Sequence, residues 1–213
     1  MKDYILFDFD GTVFDTAEGI TKCVQYALNK MGIEAELSEL MCFAGPPLVE
    51  MFAQKYGMSN EQAKMATELY RERYKPIGWK ECKPFEGMHE LMLKLKKEGK
   101  KLAIATSKPQ HLAEQILDAY NMLDDFDIIC GAEFDGTRSQ KWEVIEYVLN
   151  KFGITADDAV MVGDRKYDVI GAKRCGLDCV GVRFGYAEEG ELEEHGAVYV
   201  AQDTEDLFEY LMK

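Results

Sequence analysis

Four short stretches of the chain carry side chains that could act on one molecule together. They are Asp8-Phe9-Asp10-Gly11-Thr12, Thr106-Ser107-Lys108, Lys141, and Gly163-Asp164-Arg165-Lys166-Tyr167-Asp168. Pooled, they offer four carboxylates (Asp8, Asp10, Asp164 and Asp168), hydroxyls and lysines. Four converging carboxylates without a partner would repel one another. A hard divalent cation resolves the conflict, and Mg²⁺ is held through a few carboxylates, water and substrate phosphate. A lysine and a hydroxyl facing that ion would grip a phosphate from the other side. The chemistry spelled by these residue types is phosphoryl transfer. It also explains how a chain of net charge −14 could hold an anion, because the positive charge would be local and partly supplied by the metal.

Elements with the right carboxyl ends must position these groups. Tyr4-Ile-Leu-Phe-Asp8 reads as a buried strand that runs directly into the first stretch. Residues 16–80 then read as helical throughout, with helices at 17–31, 38–43, 48–56 and from 59 to about 74, and no strand. Thr16 and Ser59 stand where helix caps are expected. From 86 onward helices (86–98, 109–120, 139–152, 166–174, 204–212) alternate with strands (101–106, 126–130, 159–163, 179–183, 197–201). Strand–helix alternation predicts a parallel sheet covered on both faces with right-handed crossovers. The expected architecture is therefore α/β: a Rossmann-like parallel-sheet core, residues 1–15 and 84–213, with an inserted all-helical cap domain, residues 16–83. In open α/β sheets ligands bind beyond the carboxyl ends of the strands, where three of the four stretches fall; Lys141 opens the helix between the third and fourth strands.

Composition narrows the partners. Lys and Arg number 25 against 39 Asp and Glu, which excludes the basic footprint that nucleic-acid polymers or anionic membranes require. Residues 16–84 hold nine acids and nine bases, so the whole deficit lies in the remainder, and 187–213 alone carry nine acids and one base. This reads as a solvated acidic surface. No apolar run reaches membrane-spanning length, and the start does not read as a secretory signal. The six cysteines lack CxxC spacing and read as reduced thiols, so a cytoplasmic setting is expected; no separate interface stripe stands out, so a monomer is expected. Walker A and GxGxxG patterns are absent, which argues against a P-loop kinase or a dehydrogenase.

Asp8-x-Asp10-Gly11-Thr12, Thr106 or Ser107, Lys141 and Gly163-Asp164-xxx-Asp168 resemble, in order and spacing, the four motifs of the haloacid dehalogenase (HAD) superfamily. The likeness covers essentially the whole chain. Asp135-Gly-Thr-Arg-Ser-Gln-Lys141 and Val162-Gly-Asp-Arg-Lys-Tyr-Asp168 are most like the phosphoglycolate phosphatase and 5′-nucleotidase group. The resemblance implies a Mg²⁺-dependent phosphomonoesterase acting on a small phosphorylated metabolite through an aspartyl-phosphate, with the helical insertion as a small C1-type cap. Asp8 is then the nucleophile, and Asp10 the general acid and base. Thr106 and Lys141 complete the catalytic set, and Lys141 also steadies Asp8. Phe9 and Asp10 point their amides at the phosphate, while Gly11, Thr12 and Ser107 lie beside it. Asp8, the Asp10 backbone carbonyl and Asp164 hold Mg²⁺, with Asp168 behind them on a metal-bound water or Lys141. Gly45 and Pro46 form the cap loop nearest the leaving group. Lys108 has the weaker claim, with a surface position as its other reading. An acid at position 10 disfavours dehalogenation and phosphonate cleavage. Rival readings are a β-phosphoglucomutase-like mutase, a pyrophosphatase, a non-catalytic phosphate-sensing relative and a phospho-accepting receiver module, the last disfavoured by the large insertion.

Overall fold

The structure is a computed structural model that describes residues 2–133, 137, 138 and 140–213. Of the stretch 135–141, Asp135, Gly136 and Ser139 lie outside the described residues. In chain order the elements are β1 (Tyr4–Phe7), β2 (Phe14–Asp15), α1 (Ala17–Lys30), α2 (Leu48–Tyr56), α3 (Asn60–Tyr74) and β3 (Lys83–Pro84). Then follow α4 (Met88–Lys97), β4 (Lys101–Pro109), α5 (Gln110–Ala119), β5 (Ile128–Ala132), α6 (Lys141–Phe152) and β6 (Ala159–Gly163). The last are α7 (Lys166–Arg174), β7 (Asp178–Val182), α8 (Glu191–His195), β8 (Tyr199–Ala201) and α9 (Thr204–Leu211). The chain divides into two compact units, one of residues up to Phe14 together with Pro84–Lys213, the other Asp15–Lys83.

The first unit is a parallel sheet of order β5-β4-β1-β6-β7-β8. β1 lies between β4 and β6, in register Phe7 with Ile104 on one side and with Val162 on the other. Connections run outward from β1 through β4 to β5, then return to β6 and run the other way to β8. The order therefore reverses beside β1, and the carboxyl ends of β1 and β6 flank the crevice that such a reversal opens. Ile5, Leu6 and Phe7 are fully buried, each contributing about 1.5–3 kcal/mol relative to exposure. Side chains alternate between faces. Leu6, Ala103, Ala105, Met161 and Cys179 pack with Val144, Ile145 and Val148 of α6, Val169 and Ala172 of α7, and Leu192 of α8. Ile5, Phe7, Leu102 and Ile104 face the other side, where α4 and α5 contact β4.

Boundaries differ from the sequence reading where local polar contacts intervene. The strand expected at 101–106 continues to Pro109, with a register break between Ala105 and Pro109. The strand expected at 126–130 begins at Ile128, because Asp127 carries a side-chain bond from the Leu102 amide at 3.0 Å. α8, five residues long, is too short for a periodic signal.

The second unit is helical, with α1 and α2 both against α3. Leu28 of α1 and Phe52 of α2 are fully buried, and Phe52 meets Phe43 at 4.8 Å between ring centroids. Ser59 accepts from the Gln62 amide and starts α3 as a capping box. Thr16 occupies the N-cap position of α1 but makes no capping bond; Asp15 Oδ1 accepts from the Ala17 amide instead. No helix among the described residues is long and apolar enough to cross a membrane.

Candidate active site

β1 ends at Phe7, and the next residue, Asp8, is 6% exposed with its amide donating to the Val162 carbonyl of β6. That bond extends the parallel ladder by one residue and fixes Asp8 at the reversal point. The chain then turns. The Phe9 carbonyl accepts from the Val13 and Phe14 amides, and the Gly11 amide donates to the Phe14 carbonyl. Gly11 sits at φ +83°, and a Cβ there would lie 2.1 Å from Asp164 Oδ2. Only glycine fits that close approach.

Asp164 follows β6 and is wholly buried. Thr12 donates to its Oδ1 at 3.1 Å and the Tyr186 amide to its Oδ2 at 2.8 Å. Asp168, in the first turn of α7, accepts from the Arg165 amide at 3.0 Å. One carboxylate oxygen from each of Asp8, Asp164 and Asp168 lies within 4.8 Å of the others. Lys141 opens α6 and reaches them: its Nζ lies 2.7 Å from Asp8 Oδ1 and 2.9 Å from Asp168 Oδ1, and donates to the Ala105 carbonyl at 3.1 Å. Its stem runs against Gly171 of α7, where a Cβ would come within 2.7 Å of it.

The electrostatics follow from one ammonium among three buried carboxylates. Burial pushes the Asp8 carboxyl up to about 6; Lys141 pulls it down and Asp168 pushes it up again. Burial, then the charges of Asp168 and Asp8, hold the Asp164 carboxyl well above the usual range, against the Tyr186 amide and the Thr12 hydroxyl. Lys141 is raised despite its burial, because Asp168 and Asp8 stabilise its charge. The buried Oδ1 atoms of Asp8 and Asp168 have no well-directed hydrogen bond; Lys141 meets them as an ion-pair partner only. A cluster of hard oxygen donors with excess negative charge fits a Mg²⁺ ion.

Asp10, two residues past Asp8, is not one of the three clustered carboxylates and has its own partner. Lys108 Nζ donates to both of its oxygens, at 2.9 and 3.2 Å, and lies 5.6 Å from the Phe9 ring centroid. Lys108 is buried, which corrects its reading as a surface residue. The continuation of β4 past Thr106 turns its side chain inward, a detail hidden while the strand was ended at Thr106. Thr106, buried at the end of the expected strand, accepts from the Lys108 amide at 3.2 Å and bears on Asp8 so as to lower its carboxyl pKa. Ser107 is half-buried beside it.

Two residues expected at the substrate, Thr12 and Phe9, have fully buried side chains. Thr12 is fully buried behind Asp164 and orients that carboxylate. The Phe9 side chain is fully buried, stacked on Phe14 at 4.8 Å, so that only its backbone remains available for the role expected of it. Gly11 has its amide committed to Phe14. Arg165 is occupied by Glu191 at 2.9 Å. Gly45 and Pro46 belong to the helical unit, in the half-buried turn leading into α2. Sequence reasoning missed Gly185 and Tyr186. A Cβ on Gly185 would lie 2.2 Å from Asp164 Cβ. Both follow β7, and the rule that sites gather at strand carboxyl ends would have pointed to them.

Comparison with known proteins gives the chain's relatives. A family model described as haloacid dehalogenase-like hydrolase matches residues 5–182. A 5′-nucleotidase of Pseudomonas aeruginosa is 41% identical over 208 residues, covering 97% of this chain and 94% of its own length. The crystal structure of a predicted phosphatase from Clostridium acetobutylicum matches with TM-score 0.96 and 41% identity, over 100% of this chain and 99% of that one. Tyrosine-protein kinase PtkA of Mycobacterium tuberculosis is 35% identical over 198 residues, 92% of this chain and 67% of its own.

Proposed function

The chain belongs to the haloacid dehalogenase-like hydrolases and is a phosphatase of small phosphorylated substrates, and from that premise we propose a Mg²⁺-dependent phosphomonoesterase that works through an aspartyl-phosphate on Asp8. The observation that carries the reading is the buried Asp8–Asp164–Asp168 cluster with Lys141 inside it. Asp8, Asp164 and the Asp10 backbone carbonyl would hold the ion, with Asp168 bearing on Lys141. When bound, Mg²⁺ supplies positive charge against the phosphoryl oxygens.

The chain's own residues divide the remaining work. An Asp8 carboxylate oxygen attacks phosphorus and the ester P–O bond breaks. The departing alkoxide takes a proton from Asp10. Asp10 then receives a proton from water as that water attacks phosphorus, the bond to Asp8 breaks, and inorganic phosphate leaves with the Asp8 carboxylate restored. Lys141 and Thr106 keep Asp8 pointed and offset charge on the phosphoryl group. Lys108, which donates to both Asp10 oxygens, would orient Asp10 for these proton transfers.

Nucleoside 5′-monophosphates are the substrate class favoured, supported by the 41% identical 5′-nucleotidase, with phosphoglycolate as the second class. Gly45 and Pro46 are proposed to meet the leaving group. The six free cysteines support a reducing, cytoplasmic setting. The kinase-named relative shares much of this sequence, so the assay must read the direction of transfer. The test is phosphate release from a panel of nucleotides, phosphoglycolate and sugar phosphates, with and without Mg²⁺. Asp8→Asn should abolish turnover in a folded protein. Substantial phosphate release by that variant, or isomerisation of a sugar phosphate without release, overturns the reading.

A further inference from the structure

Three carboxylates that repel one another stay converged only if their backbones are held, and part of the hold comes from outside the cluster. The segment after β7 grips the turn between β6 and α7 at two places. Near its start, the Tyr186 amide donates to Asp164 Oδ2 at 2.8 Å. Near its end, Glu191 Oε1 accepts from Arg165 Nε at 2.9 Å and from the Lys166 amide at 2.8 Å, and Oε2 accepts from Arg165 Nη2 at 3.4 Å. Both side chains of the Arg165–Glu191 pair are buried, at 11% and 8% exposure. The Arg165 amide in turn donates to Asp168 Oδ2, Asp168 Oδ1 faces Lys141, and Lys141 faces Asp8. Glu191 thus reaches the cluster through the backbone of Arg165 and Lys166 without touching it. Burying an ion pair gives little net stability, so its position against the acidic turn speaks for geometry.

We propose that Glu191 is a positioning residue: it fixes the Arg165–Lys166 backbone so that the Asp164 and Asp168 carboxylates converge on Asp8, and thereby sets the affinity of the cluster for a divalent cation. This rests on the Mg²⁺-phosphatase reading above. The role differs from that of Arg183 and Glu193, which pair with each other and make no contact with the acidic turn among the described bonds.

The test is Mg²⁺ titration by calorimetry into the full chain, together with kcat and KM at saturating Mg²⁺. The variants are Glu191→Ala, Glu191→Gln and, as control on the same short helix, Glu193→Ala. Loss of groups that orient metal ligands costs about 10–100-fold in affinity, so Glu191→Ala should raise the Mg²⁺ Kd about 10-fold or more. Glu191→Gln keeps an acceptor oxygen for the Lys166 amide and should lose less. Glu193→Ala should stay within about twofold of the parent, as the Kd effect is specific to the turn. A folded Glu191→Ala protein with parental Mg²⁺ Kd overturns the proposal, as does an equal loss in Glu193→Ala. Should Glu191→Ala fail to fold, Glu191→Asp, whose shorter arm withdraws the carboxylate, is judged by the same criterion. A parent protein that binds no Mg²⁺ overturns the functional reading itself, a result distinct from parental binding in the variant.

Discussion

Replacing Lys141 by Met tests the electrostatic account most directly. Met keeps an unbranched stem of similar length against Gly171 and removes the ammonium, with sulfur in place of one methylene. At 2.7 and 2.9 Å the two ion pairs each represent about 6 kcal/mol of gross attraction at an effective dielectric near 20. Most of that offsets the cost of burial, and removing one partner of a buried pair leaves a net loss of about 3–5 kcal/mol. In a protein of 213 residues this lowers Tm by about 6–20 °C. The pH dependence has a definite sign. Asp8 is raised by burial from 3.8 to about 6, so the fold favours its protonated form, and ionisation weakens the fold as pH rises through that window. Without Lys141 the carboxyl rises further. The loss should therefore be smallest near pH 4 and grow towards pH 8, by at most about 1.4 kcal/mol per pH unit per proton. Added Mg²⁺ supplies the missing positive charge and should recover part of the loss. The assay is thermal melting of parent and Lys141→Met at pH 5 and pH 8, with and without Mg²⁺. Equal melting at pH 8 in the absence of Mg²⁺, or a deficit that shrinks as pH rises, refutes the reasoning. Phosphate release should fall by about 100-fold or more, the scale of losing one charge-stabilising group.

Other consequences are equally direct. Gly11→Ala places a Cβ 2.1 Å from Asp164 Oδ2 at φ +83°, so it should destabilise by about 1–2 kcal/mol and abolish Mg²⁺ binding; unchanged calorimetric binding contradicts the packing. Glu81 accepts from both Arg73 nitrogens at 2.6 and 3.0 Å, and these bonds hold its carboxyl below the usual range against the effect of burial. Its contribution is present above about pH 4.5 and is lost as pH falls through the lowered value, so Glu81→Gln should cost about 1 kcal/mol near neutrality and nothing in acid, read by denaturant melts at both pH values. Ser59→Ala removes the cap of α3 and should cost about 1 kcal/mol, with faster amide exchange at Gln62 as the local readout.

The alternation of apolar strands and amphipathic helices made the parallel sheet legible, because periods of 2 and 3.6 are properties of the local chain. Strand β6 and helix α7 were read at their observed bounds. Short elements escaped: α8 carries only one and a half turns, and the end of β4 depends on β5 beside it. The clustered carboxylates were legible for a related reason, since Asp8 and Asp164 stand immediately past strands and Asp168 in the first turn of a helix. What those residues touch was not. Lys108 looks like any polar residue in a loop, and only the register break in β4 brings it to Asp10. Thr12 looks like a phosphate contact, and only the approach of β6 shows it behind Asp164.

The sequence by itself determined which chemistry was possible, because residue type and spacing along the chain set the donors and their distance from strand ends. The tertiary structure decided which donors meet. Asp8, Lys141, Asp164 and Asp168 come from three segments separated by 133 and 23 residues, and the sheet order that joins them is a long-range property. So are the pKa shifts, which burial and neighbouring charge produce only once those segments are packed together.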